Sequence, residues 1–170
     1  MRNSLKQLVF VVGIACLTLS VTADAGGKKK KSINFEAELS GAQEVPGVAQ
    51  VFIISASISA KFEKDLSAVE VKLVIEGGIN ALAAHFHCGL AGTNGPVVVT
   101  LFSGMAGPLM FDGAEASGTL TNADVGDLNC GGQPVNNIAS LAAAMRNGSI
   151  YTNVHTLDIL SGEVRGQMLE

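Results

Sequence analysis

Apolar residues recur at every second position in short runs that end in Gly, Asn or Pro, and few folds accept that pattern. In INFEAEL, Ile33, Phe35, Ala37 and Leu39 share one parity while Asn34, Glu36 and Glu38 take the other. In AVEVKLVIEG, Val69, Val71, Leu73 and Ile75 alternate with Glu70, Lys72 and Glu76 until Gly77 and Gly78 break the run. Side chains of a strand point alternately to opposite faces, so each run reads as a strand with one buried and one wet face. Ala49–Phe62 adds a long β-branched strand, and EASGTLT, SIYTNVHT and GEVRGQM add shorter ones. Pro96–Phe102 (PVVVTLF) is apolar almost throughout and reads as a central strand, whereas Gly104–Gly113 reads as a loop. One stretch follows a different period: Ile138, Leu141, Ala142 and Met145 recur at helical spacing, with Asn136 or Asn137 as cap and Gly148 as terminator. Many short strands and one short helix predict an all-β chain, an antiparallel β-sandwich or barrel. The 170 residues show no internal repeat and suit one domain.

The beginning of the chain obeys other rules. Arg2 and Lys6 precede an apolar run from Leu8 to Val21, and Ala23-Asp24-Ala25 has the small-x-small form of a cleavage site. Residues 1–25 therefore read as a signal peptide. The run is short for a transmembrane helix. Lipoprotein processing at Cys16 is disfavoured, because the apolar run continues past it and Gly13 replaces the usual large aliphatic residue. Residues 26–32 form a flexible lysine-rich segment, and 33–170 the folded domain. Without Arg2, Lys6 and Asp24, nine basic residues face fourteen acidic ones, and four of the nine are Lys28 to Lys31. The domain itself offers no basic surface for nucleic acid. The expected location is secreted, extracellular or periplasmic, with no integral membrane segment after cleavage. Two cysteines remain, Cys88 and Cys130, and an even count in an exported domain favours a disulfide.

The stretch AAHFHCGLAGTNGP (Ala83–Pro96) holds two of the three histidines. His85 and His87 share one face of an extended chain, and Phe86 and Cys88 share the other. Phe86 and Cys88 belong inward, which displays His85 and His87 outward. In IYTNVHT, Tyr151, Asn153 and His155 share a face; in GEVRGQM, Glu163, Arg165 and Gln167 do. If the three segments are neighbours, His85, His87, His155, Arg165, Glu163 and Gln167 gather on one sheet face. Residues i and i+2 of a strand lie about 7 Å apart, so two imidazoles there can converge on an ion held at about 2.0–2.1 Å. A third histidine completes a three-nitrogen site with an open position, and imidazole suits copper, zinc, iron and nickel. The competing reading is a hydrogen-bonded polar cluster that ties strands together. No G-x-S-x-G elbow, H-E-x-x-H or phosphate loop occurs, and no catalytic residue is assigned. Glu44 in GAQEVPG suits a turn-fixing or salt-bridging role better than that of a general base. A buried pair of Arg165 with Glu163 or Glu44 would fix strand register. Asn147 heads a glycosylation sequon, NGS.

LSGAQEVPGV, AAHFHCGLAGTNGPVVVTLF, RNGSIYTNVHT and GEVRGQM follow one another in the order seen in the CHRD domain, which the chain resembles from about Phe35 to Met168. That family is named for chordin, an extracellular antagonist of bone morphogenetic proteins, and has stand-alone secreted members in bacteria. The resemblance implies a β-sandwich, immunoglobulin-like or Cu/Zn-superoxide-dismutase-like in its Greek key. It implies a binding or structural role more than an enzymatic one, with an unidentified extracellular protein or polymer as partner. His85, His87 and His155 fall on its motifs, which supports one shared metal site, copper first and zinc second, with Arg165, Glu163 and Tyr151 orienting the imidazoles. The alternatives are a metal-free adhesion or protein-interaction module and a metal-dependent redox enzyme resembling superoxide dismutase. Three histidines fall short of that enzyme's full copper-plus-zinc ligand set.

Overall fold

A computed structural model describes residues 32–49, 54–77, 79–103, 109–111 and 114–170. The expected signal peptide, most of the lysine-rich segment and part of the long strand expected from Ala49 lie outside the described residues.

The alternating runs form the expected antiparallel strands. One sheet has the order β1-β2-β3-β7, from Ile33–Leu39, Ser55–Phe62, Ala68–Glu76 and Ala114–Thr121. The other runs β11-β10-β4-β5, from Val164–Gln167, Ile150–Thr156, Ile79–Cys88 and Val97–Ser103. Within the stretch expected to be a loop, Leu109–Phe111 forms a short strand, β6, which continues the β5 edge along β4 by pairing with Ile79–Ala81. A hairpin missed by the pattern, β8 (Leu128–Cys130) and β9 (Gln133–Val135), is too short to show a period. The chain crosses between sheets after β3 and after β6, and β7 returns beside β3, so β3, β4, β5 and β7 follow a Greek-key path.

The two inner faces bury the apolar parity of each run. Phe35 and Phe62 meet edge-to-face with centroids 5.7 Å apart, and Leu73, Ile75, Phe86, Val99, Ile150 and Val154 fill the space around them. The helix α1, Ile138–Arg146, covers one end with Ile138, Leu141 and Met145. Its cap is Asn137, whose side chain accepts from the Ser140 N–H at 2.9 Å while Ser140 Oγ accepts from Asn137 N–H at 3.1 Å. It stops before Gly148, which holds φ 69°.

PVVVTLF is not central. β5 lies at a sheet edge, and Val98 and Val99 are both buried. Two register shifts bend β5 against β4, and the Gly126 N–H donates to the Val98 carbonyl at 2.8 Å. A loop thus covers this edge, and an apolar run arises without a strand on each side.

The sheets are joined on the opposite side. Glu36 and Leu169 exchange two backbone hydrogen bonds, at 2.8 and 2.9 Å, and Ser40 and Arg165 exchange two more, at 3.0 and 3.2 Å. Gly166 lies between these contacts. A Cβ there would fall 2.5 Å from the Glu38 carbonyl oxygen, so only glycine lets β11 approach β1.

Cys88, at the end of β4, is bonded to Cys130 on the β8–β9 hairpin, with Cα atoms 5.2 Å apart. The bridge closes a loop with a sequence separation of 42. Chain entropy assigns such a loop about 4 kcal/mol. A Cys88→Ala/Cys130→Ala protein is therefore expected to lose about 2–5 kcal/mol in urea unfolding; a loss under about 1 kcal/mol would show that the bridge does not constrain the unfolded chain.

Candidate functional site

The outer face of the β4-β10-β11 sheet carries the polar parity of all three strands. Across β4 and β10 the register pairs His87 with Tyr151, His85 with Asn153 and Ala83 with His155. Across β10 and β11 it pairs Tyr151 with Gln167 and Asn153 with Arg165. The three segments expected to be neighbours are neighbours. Their polar face points away from the core, as the alternation requires, but it is not displayed openly. His87 is buried, His85 and His155 are half-buried, and Tyr151, Asn153 and Arg165 are as buried as core residues. The cover is the loop GLAGTNGP (Gly89–Pro96), joined to the Glu44 turn.

That loop is held mainly by polar bonds. Arg165 donates to Asn94 Oδ1 at 3.1 Å, to the Leu90 carbonyl at 3.2 Å and to the Thr93 carbonyl at 2.8 Å. Gln167 Nε2 donates to the carbonyls of Gly89, Gly148 and Ile150 at 2.8–3.1 Å. Asn94 Nδ2 donates to the Val45 carbonyl at 2.6 Å, which ties the loop to the turn. The Gly95 N–H donates to the Tyr151 hydroxyl at 3.2 Å. A Cβ on Gly95 would lie 1.7 Å from the Cys88 carbonyl oxygen, so this glycine is obligatory.

Arg165 makes none of the ion pairs among the described residues. Its guanidinium carbon instead sits 3.4 Å from the centre of the Tyr151 ring. Tyr151 also stacks on His87, with centroids 4.9 Å apart and planes 11° from parallel. Guanidinium, phenol and imidazole thus form one stack. Glu163 directs its carboxylate to the Thr156 hydroxyl at 2.5 Å.

Ring centroids are 4.9 Å apart for His85 and His155, 5.5 Å for His85 and His87, and 6.0 Å for His87 and His155. One nitrogen of each ring lies within 4.8 Å of the other two. His87 Nδ1 is 2.9 Å from the Gly95 carbonyl, and His155 Nδ1 is 2.8 Å from the Leu160 carbonyl. A carbonyl only accepts, so both Nδ1 atoms carry a hydrogen, and in the neutral imidazole it is then Nε2 that has the lone pair. Those two Nε2 atoms and His85 Nδ1 are buried without a hydrogen-bond partner. Burial pushes His85 down to about 4, helped by His155 and His87. Burial also lowers His87, with further lowering from His155 and Arg165, against the Gly95 carbonyl and Asn153, which raise it. Neutral imidazoles with free lone pairs are the form that ligates metal.

Two further residues belong to this layer. Glu44 is buried, and burial raises its pKa to about 7 although Arg165 and the Val45 backbone N–H pull it down. Asn153 is buried beside His87, where its side chain favours the protonated imidazole. Single-strand alternation shows that Asn153 faces the site; only the register shows it opposite His85. Nothing local in GAQEVPG points Glu44 here.

Segments far apart in the chain therefore meet in one place: the Glu44 turn, the His85–Pro96 stretch, the His155 strand and the Arg165 strand. A family model described as the CHRD domain matches residues 35–168. The chain belongs to the CHRD family. The four motifs quoted for the resemblance are the four that build the polar layer of this CHRD domain. Searches of curated proteins and of solved structures found no match to the chain. Among the described residues no helix is long and apolar enough to cross a membrane.

The two strongest shifts in this CHRD domain oppose each other with pH. Between about 6.5 and 4 the unfolded state binds a proton that folded His85 refuses, so stability falls as pH falls. Between about 7 and 4.5 folded Glu44 holds a proton that the unfolded chain has lost, so stability rises as pH falls. Replacing Glu44 by Gln removes the second effect. In chelator, the melting temperature of Glu44→Gln is expected to drop more steeply than that of wild type between pH 7 and 4; an equal or shallower drop would contradict this assignment.

Proposed function

We propose that this protein is a secreted CHRD binding module that holds a transition-metal ion through His85 Nδ1, His87 Nε2 and His155 Nε2. The observation that carries the reading is three unpartnered buried imidazole nitrogens, two of them with tautomers set by backbone carbonyls. Such carbonyl partners are the usual outer contacts of ligating histidines, and they orient the rings in advance. Three nitrogens around one ion at about 2.0–2.1 Å stand about 3.4 Å apart in a tetrahedral site. Closing from within 4.8 Å to that spacing takes small rotations of side chains rather than a change of fold. Divalent affinity for nitrogen sites peaks at copper, which ranks copper before zinc. Access remains, because His85 and His155 are only half-buried. The intramolecular disulfide and the CHRD family fit an oxidising extracellular setting. Tyr151 and Arg165 support the metal reading as the stack that fixes the plane of His87. Glu163 acts further out, through Thr156.

One observation favours a second reading, a metal-free adhesion or protein-interaction module. Arg165, Gln167 and Asn94 clamp the covering loop without any ion, through the Thr93, Gly89 and Val45 carbonyls. In that reading the histidines only fill the layer.

Copper and zinc titrations of the purified protein, beside His85→Ala/His87→Ala, separate the two. Stoichiometric binding in wild type, weakened at least a hundredfold in the double variant, is the expected outcome. Equal weak binding in both proteins, with a lower melting temperature for the variant, would leave the histidines structural and turn attention to protein or polymer partners.

A further inference from the structure

The outermost strands of a sheet carry backbone groups that no neighbouring strand receives, and this fold manages its edges unequally. β1 and β11 are joined to each other by backbone bonds, while β5 is bent by two register shifts and met by Gly126. Among the described residues, β7 has neither kind of cover. Its eight residues pair with β3 without a register shift, and they include no proline and no lysine. Its one charge, Glu115, is paired with Lys72 of β3 at 2.6 Å. Natural sheets blunt a long regular edge with unpaired charge, proline, a bulge or a covering loop, so an edge without them is a place where another strand adds.

The β2–β3 turn decides which groups of β7 lie bare. The Glu63 N–H donates to the Ala68 carbonyl at 2.9 Å, so Ala68 turns its backbone groups toward β2. Hydrogen-bonding direction alternates along a strand, so Val69, Val71 and Leu73 turn theirs toward β7, where they pair with Leu120, Gly118 and Ala116. Glu115, Ser117, Thr119 and Thr121 therefore direct theirs outward. The Thr121 N–H is already received by the Asp124 carboxylate at 2.7 Å, which closes that end of the edge. Glu115, Ser117 and Thr119 remain, all of them exposed. This edge is complementary to itself. With a two-fold axis at Ser117, antiparallel copies set Ser117 against Ser117 and Glu115 against Thr119, so each of these positions finds a partner. Ala116 then faces Gly118, where an added Cβ would meet nothing. The two Glu115 positions stand about 13 Å apart along the strands, beyond the screening length at physiological salt. An axis at Gly118 would instead need the Thr121 N–H, which is taken. We propose that β7 pairs with β7 of a second copy, which makes one continuous sheet across a symmetric dimer. Each copy covers the bare edge of the other, so the pairing closes and does not propagate.

The test is sedimentation velocity of the purified protein in chelator, across the micromolar range, beside Ser117→Lys and Ser57→Lys. Ser57 lies on the same outer face but on β2, away from the edge. Wild type and Ser57→Lys are expected to be dimers. Ser117→Lys sets two ammonium groups opposite each other and is expected to weaken the dimer at least about tenfold, with partial recovery in high salt. If Ser117→Lys does not fold by circular dichroism, Ser117→Cys reads the same contact. Directly opposed Cα atoms about 5.5 Å apart allow a disulfide, so mild oxidation is expected to give a covalent dimer that Ser57→Cys does not give. Wild type that stays monomeric throughout the range would overturn the pairing. A dimer that a folded Ser117→Lys protein keeps at full strength would overturn it too, because the contact would then lie elsewhere on the molecule.

Discussion

A buried guanidinium organises this half of the molecule. Arg165 sits on β11 at 2% exposure and keeps its charge among three neutral acceptors and an aromatic face. Taking a cation out of water is costly unless its hydrogens are received, and here carbonyls and an amide oxygen receive them. Those acceptors belong to a loop with little apolar content of its own. The loop therefore folds over the sheet because Arg165 needs it. Once in place it supplies the carbonyl of Gly95 that fixes His87 and the amide of Asn94 that reaches the Glu44 turn. The geometry of the imidazoles thus depends on a cation that touches none of them.

The same arrangement accounts for the charge environment. The Arg165 charge helps hold His87 neutral and draws Glu44 toward ionisation, while burial acts on both side chains in the direction of the uncharged form. The layer carries one fixed positive charge and a set of groups that prefer neutrality. A bound ion would meet, in His85 and His87, imidazoles that burial already disfavours protonating.

Much of this was legible in the sequence, for reasons that differ by element. Period-two runs such as those of β1 and β3 state both strand and face, and the helix periodicity with its Asn and Gly ends states α1. The shared side of His85 with His87, and of Tyr151 with His155, follows from alternation within each strand; that the two strands are neighbours was assumed, and the register supplies it. Three things did not follow. Burial of that face depends on a loop held by side chains from 70 or more positions away, which no local pattern records. The edge position of PVVVTLF is invisible because a covering loop buries a strand as well as another strand does. The partners of Arg165 were expected among carboxylates, since charge complementarity is the only cue that a sequence offers, whereas a fold can supply carbonyls.

Gly166 gives the assembly a timetable. Its missing side chain lets β11, the last strand of the domain, join β1, the first, and the same strand carries Arg165 into the polar layer. The histidines themselves sit on the paired strands β4 and β10, but the loop that covers them waits for Arg165 on β11. Contacts of such long sequence separation form late in folding. An ion taken by the proposed site would therefore be drawn from the surroundings in which the covering loop closes.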